Sequence, residues 1–185
     1  MNELKDYILV LEDIIPHNLC DEIIREYSDN NEWTDSQTIA KLDKTVRNCQ
    51  HISISLNDII NKNYDVRKNL DNKIFESTSN AIKKYYDKFN NSSINNDCGY
   101  LLLKYEKGNF YKEHTDSWTT LPRTISCSFI LNNDFIGGEF SFFKKKYTYS
   151  LKKGSAIMFP SNFLYPHEIL PVIEGTRYSI VTWFN

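Results

Sequence analysis

The spacing of apolar positions changes character partway along the chain. Before residue 90 it includes two helical stretches among strand-like and irregular segments, and after Gly99 it falls into short runs of strand length. Tyr7–Glu12 reads as a strand. Pro16 then stands where a first-turn proline is tolerated, and Leu19, Ile23, Ile24 and Tyr27 form an apolar stripe that predicts a helix over 17–27. Residues 28–50 are polar and irregular and hold Trp33 and Arg47. Gln50–Leu56 alternates polar and apolar, as a strand does. Leu70, Ile74, Phe75, Ile82, Tyr85 and Phe89 predict a second helix over 66–89. Residues 90–97 form a polar linker.

The second half predicts strands over 100–105, 124–131, 139–143, 147–151, 156–159, 167–172 and 177–184. Gly137-Gly138, Lys153-Gly154 and Glu174-Gly175 separate them as turns. Many short strands at this spacing indicate a sandwich or barrel. The expected class is α+β, mainly β, with two supporting helices outside the β core. At 185 residues one domain is expected, with support and loops over 1–97 and the core over 98–185.

Composition narrows the class of function only a little. A formal net charge of −2 offers no global attraction to nucleic acid or anionic membrane. The charged start followed by the short apolar stretch 7–11 is not the h-region of a signal peptide, and no run reaches membrane-spanning length. Cys20, Cys49, Cys98 and Cys127 are scattered without a CxxC pair, which favours reduced thiols and a cytoplasmic setting over two disulfides.

The chemistry is concentrated in His114-Thr115-Asp116, His167 and Arg177. Taken singly, each residue has a structural reading. His114-Thr115-Asp116 could be a polar surface loop, His167 a packed edge histidine, and Arg177 the partner of Glu174. Together, two imidazoles and a carboxylate are what a facial Fe(II) site needs, since they leave positions open for a co-substrate and O2. Alternation along a strand would turn His114 and Asp116 to one side. Arg177, Ser179, Val181 and Trp183 would likewise share a face, and the guanidinium fork of Arg177 suits an acidic co-substrate.

The stretch 100–184 resembles the catalytic double-stranded β-helix (jelly roll) of the 2-oxoglutarate/Fe(II) dioxygenases, and within them the prolyl 4-hydroxylase group. The resemblance is carried by Tyr105, Gly108 and Tyr111 ahead of His114 and Asp116, and by Arg123-Thr124 leading to Leu131-Asn132. It continues with Gly137-Gly138-Glu139, Gly154 and Ala156, His167 and the ending Thr176-Arg177-Tyr178-Ser179. It implies His114, Asp116 and His167 as iron ligands and Arg177 as partner of the distal 2-oxoglutarate carboxylate. Tyr105, Tyr111, Thr124 and Ser179 would line the co-substrate pocket. Fe(II), 2-oxoglutarate and O2 are the implied reactants, with ascorbate as reductant. Two departures stand out: Arg177 occupies a position where many prolyl hydroxylases carry lysine, and Phe140 one where the pattern often has threonine.

The resemblance further implies a prolyl residue in a peptide or protein as substrate. The loops 33–50 and 117–123 are expected to close over it, with Trp118 and Arg123 nearest the metal. Lys144-Lys145-Lys146 reads as a solvated hairpin. Two alternatives stay open: a dioxygenase acting on a free amino acid or other small molecule, and a non-catalytic β-barrel binding module. A nucleic-acid substrate is disfavoured by the absence of a basic stripe with stacking aromatics. Oligomeric state is not readable from the sequence.

Overall fold

The computed structural model describes residues 3–38, 41–55, 64–90 and 96–185. Over these the chain builds two α-helices, α1 (His17–Tyr27) and α2 (Tyr64–Phe89), and a run of antiparallel strands. The strands before α2 are β1 (Leu9–Leu11), β2 (Thr34–Asp35), β3 (Arg47–Asn48) and β4 (Gln50–Ser53). After it come β5 (Leu101–Tyr105), β6 (Phe110–His114), β7 (Ile125–Ile130), β8 (Phe135–Gly137) and β9 (Phe140–Phe142). The last are β10 (Tyr147–Tyr149), β11 (Ala156–Pro160), β12 (His167–Ile169), β13 (Val172–Gly175) and β14 (Arg177–Phe184).

Seven strands form one sheet in the order β1-β11-β7-β14-β5-β4-β2, and five form a second in the order β10-β9-β12-β6-β3. Strands consecutive in sequence mostly lie in different sheets, the jelly-roll pattern of a double-stranded β-helix. Every residue of β7 is buried, because the large sheet is covered on both sides. Its outer side carries Leu102, Cys127, Phe129, Met158 and Ile180, and packs under α1 and α2 through Leu19, Ile23, Leu70, Ile74 and Ala81. Its inner side carries Leu103, Tyr105, Ile130, Ile157 and Phe159, and meets Phe140, Phe142 and Ile169 of the small sheet.

The helix over 17–27 falls where the stripe predicts it, and the second begins two residues earlier than expected. The N-terminal strand is shorter than expected, because Leu4–Tyr7 winds into a 3-10 turn. The expected strand 167–172 is two strands in different sheets, β12 and β13, with Leu170-Pro171 between them. Gly137 and Gly175 belong to strand ends rather than to free turns. The polar stretch 28–50 holds the short strands β2 and β3. Leu56 and most of the expected linker lie outside the described residues.

One buried charge supports this frame. Arg67, on α2, is 1 % exposed; it donates to the Ser53 carbonyl at 2.5 Å, pairs with Glu32, and lies over the Tyr27 ring. It thereby fastens α2 both to β4 and to the loop after α1. Periodicity cannot foresee this, because an arginine on a predicted apolar face reads as exposed until its partners are known.

Candidate iron and co-substrate site

β6 and β12 lie side by side in the small sheet, with His114 directly opposite His167. That register sets the two imidazole centroids 4.3 Å apart. Asp116 lies just beyond the end of β6, where its N–H and that of Ser117 both donate to the Ser161 carbonyl, at 3.2 and 3.0 Å. The loop, rather than strand alternation, thus aims the carboxylate back between the two rings. His114 Nε2 is 3.5 Å from Asp116 Oδ1, and His167 Nε2 is 3.6 Å from Oδ2. One donor atom from each residue lies within 4.8 Å of the others, a cluster able to hold one metal ion.

The surroundings fix the form each donor takes. His114 Nδ1 faces the Lys112 carbonyl at 2.8 Å, and His167 Nδ1 faces the Tyr165 carbonyl at 3.1 Å. A carbonyl can only accept, so each Nδ1 carries the proton and each Nε2 lone pair is left for metal. Burial pushes His167 down to about 4, with His114 adding to the effect, so its ring is neutral near pH 7. Burial alone would raise Asp116, but the imidazoles and the Ser126 hydroxyl outweigh it and hold its carboxyl well below the usual range. Ser126 Oγ donates to Asp116 Oδ2 at 2.6 Å and stands 2.8 Å from Ser161 Oγ.

These ligands open into a cavity of about 210 Å³ between the sheets. Arg177 stands in its wall, 1 % exposed, with its guanidinium over the rings of Tyr105 and Phe140 at 5.2 and 5.5 Å. Its Nη1 donates to Ser179 Oγ at 2.8 Å, while Nε and Nη2 are buried without a partner. Two unpartnered donors on a buried cation amount to a preformed socket for a carboxylate. The donor set therefore fits both groups: a facial triad for Fe(II), and a guanidinium in the same cavity for a keto diacid. The alternative structural reading, an ion pair of Arg177 with Glu174, does not form.

Tyr105, Tyr111 and Ser179 also line the cavity. Burial raises both phenols, which therefore stay protonated as donors. Tyr111 stacks on His114 with centroids 3.5 Å apart. Thr124 is the exception: it is exposed, its N–H donates to the Phe184 carbonyl, and its side chain lies outside the cavity lining. Trp118 and Arg123 both line the mouth. Trp33 does not: its Nε1 donates to the Tyr27 carbonyl and its ring meets Tyr178, so it anchors its loop. Lys144 to Lys146 form an exposed turn, as expected.

Sequence reasoning missed Ser126, Ser161 and the placing of Arg47. Ser126 and Ser128 did leave a signal, two small polar residues on the inward side of an otherwise apolar strand. Arg47 lies in the loop 33–50 expected over the substrate, but its particular place in the cavity wall depends on β3 pairing with β6.

A jelly roll carrying a His-Asp-His face and an unpaired arginine in one cavity defines an iron- and keto-acid-dependent oxygenase. Residues 100–185 match the family model described as the 2OG-Fe(II) oxygenase superfamily. Within it the chain is prolyl 4-hydroxylase-like. The "Putative prolyl 4-hydroxylase" of Acanthamoeba polyphaga mimivirus is 26% identical over 196 residues, which span 95% of this chain and 73% of that protein. Among solved structures, a Trichoplax adhaerens prolyl hydroxylase in complex with a hypoxia inducible factor peptide fragment has a TM-score of 0.78. It is 14% identical, with 96% of this chain and 83% of that one covered. A Pseudomonas putida prolyl-4-hydroxylase has a TM-score of 0.74 at 18% identity, over 97% of this chain and 92% of that one. At such identities these two structures establish the shared fold.

Proposed function

We propose that this protein is an Fe(II)- and 2-oxoglutarate-dependent dioxygenase that hydroxylates a prolyl residue in a peptide or protein. The observation that carries the oxygenase chemistry is the pairing of the triad with the two unpartnered donors of Arg177 in one cavity. The prolyl substrate is supported by the mimivirus, Trichoplax and Pseudomonas relatives, all of which bear that name.

When bound, iron and 2-oxoglutarate would activate O2, the oxidant, with one oxygen atom passing to succinate as CO2 is released and the other to the substrate as a hydroxyl group. The chain's own residues do the rest. His114, Asp116 and His167 would hold the metal on one face, and the carbonyls of Lys112 and Tyr165 keep the ligand nitrogens in the right tautomer. Arg177 and Ser179 would bind the far carboxylate of the keto acid, so that its other end points toward the triad. Phe140, Phe159 and Ile169 make that part of the cavity apolar and limit water around the reacting atoms. The loop Ser117–Arg123, with Trp118 half exposed at the mouth, and the segment bearing Gln37, Thr38 and Arg47 stand where a peptide would lie.

The test is turnover with pools of proline-containing peptides, supplied with Fe(II), 2-oxoglutarate, ascorbate and air. Mass spectrometry should find one added oxygen on proline, absent with His167→Ala. Succinate formed without modified proline would retain the oxygenase and move the substrate to a free amino acid or other small molecule.

A further inference from the structure

Arg177 is one of three arginines in the cavity wall, and the chemistry above leaves the other two unused. Arg47, on β3, lies with its guanidinium 4.6 Å from the Tyr111 ring centroid; its Nη1 donates to the Gln37 carbonyl at 3.0 Å. Arg123 lies over the Trp183 ring, 3.4 Å from its centroid, and its Nη1 donates to the Asp116 carbonyl at 3.3 Å. Among the described residues neither forms an ion pair with a carboxylate. Arg47 Nε, Arg123 Nε and Trp183 Nε1 are all buried without a partner. All three are donors, so this side of the cavity lacks acceptors only.

Charge sharpens the point. The lining holds three arginines and one carboxylate, Asp116. Adding Fe(II) and the dianion of 2-oxoglutarate, with neutral imidazoles, still leaves two positive charges. A neutral peptide carbonyl could satisfy a donor but would leave that excess standing, whereas a carboxylate satisfies the donor and also halves the excess. The excess lies on a chain whose overall charge is −2, so it is a local feature of the mouth.

Resting on the prolyl hydroxylase reading, we propose that Arg47 and Arg123 form a second anion socket that selects peptides with a glutamate or aspartate within two residues of the target proline. Arg47, stacked on the tyrosine that covers His114, sets the preference; Arg123, held by Trp183, closes the socket from the opposite loop.

The test uses fluorescent proline peptides, acetylated and amidated so that the only carboxylate is a side chain, carrying Glu, Gln or Lys at each flanking position. Binding to enzyme loaded with Fe(II) and 2-oxoglutarate is measured by fluorescence polarisation without oxygen. In the best position, Glu peptides should bind at least tenfold more tightly than Lys peptides, with Gln between, and added salt should narrow the gap. Arg47→Gln should shrink the Glu-over-Lys ratio to threefold or less, and Arg47→Glu should invert it. Equal binding of Glu and Lys peptides overturns the proposal, and needs no variant to be read. Gln binding as well as Glu also overturns it, assigning the donors to a carbonyl oxygen. Admitting oxygen then separates the two readings. Hydroxyproline formed without charge preference rejects the socket alone, and Glu preference without hydroxyproline rejects the prolyl substrate alone.

Discussion

Gly138 lets Arg177 lie against the backbone: a β-carbon at residue 138 would stand 2.8 Å from Arg177 Cδ. The glycine also sits at φ +67°, where other residues are strained. Gly138→Ala should therefore push the guanidinium out of place and raise the Kd for 2-oxoglutarate about tenfold or more. Metal binding should persist, because the triad lies on other segments. Calorimetric titration of co-substrate, beside the melting shift produced by Mn(II), checks both halves.

Arg177 is costly to the empty protein. It is a buried cation with two unpartnered donors, and such groups destabilise a fold until a counter-ion arrives. Arg177→Met should make the ligand-free chain more stable by roughly 1–3 kcal/mol, and should remove the rise in Tm that 2-oxoglutarate gives the wild type. Thermal melts with and without the co-substrate measure it. A destabilised variant would show that the arginine is held by partners that compensate its charge.

Ser126 orients the carboxylate of Asp116, one of the three proposed metal ligands, without itself belonging to the donor cluster. Its hydroxyl donates to Asp116 Oδ2 at 2.6 Å, so Ser126→Ala leaves that oxygen free to turn. Loss of an outer partner of this kind costs about 10–100-fold in metal affinity. Competition of Fe(II) or Mn(II) against a chelator reads it, while Ser128→Ala, on the same strand but without that bond, should change affinity far less.

Much of this site was legible in the sequence because its chemistry is carried by residue types few other roles need. His114, Asp116, His167 and Arg177 are brought together as their spacing and resemblance imply. What the sequence withheld depends on pairing between distant segments. Asp116 reaches the site through the Ser161 carbonyl, forty-five residues away in the chain, and not through strand alternation. The expected pocket role of Thr124 did not foresee that its backbone would serve to close the large sheet against Phe184. The split between β12 and β13 was hidden because one apolar run, from Ile169 to Val172, feeds two sheets with Pro171 at the joint. Arg67 and Arg47 are placed by partners in distant segments that no local pattern reveals.

The four cysteines are free, as their spacing suggested. Burial pushes the Cys20 thiol up to about 11 and raises Cys127 further, so neither holds appreciable thiolate at pH 8. Cys49 is buried as well, whereas Cys98 is exposed. Alkylation of the folded protein at pH 8 should therefore label Cys98 first, with the other three modified only after denaturation. Intact-mass spectra over time check the order, and early labelling of Cys127 would contradict the packing of β7 against the helices.

The central claim is that the triad and Arg177 together drive oxygen into a prolyl C–H bond. Its most direct test is a single reaction with isotopically labelled O2, in which hydroxyproline and succinate are both analysed by mass spectrometry. The account predicts equal amounts of the two products, with one labelled oxygen atom in each, and loss of both in His167→Ala and Asp116→Ala. Folded, iron-loaded protein that forms neither product would contradict it.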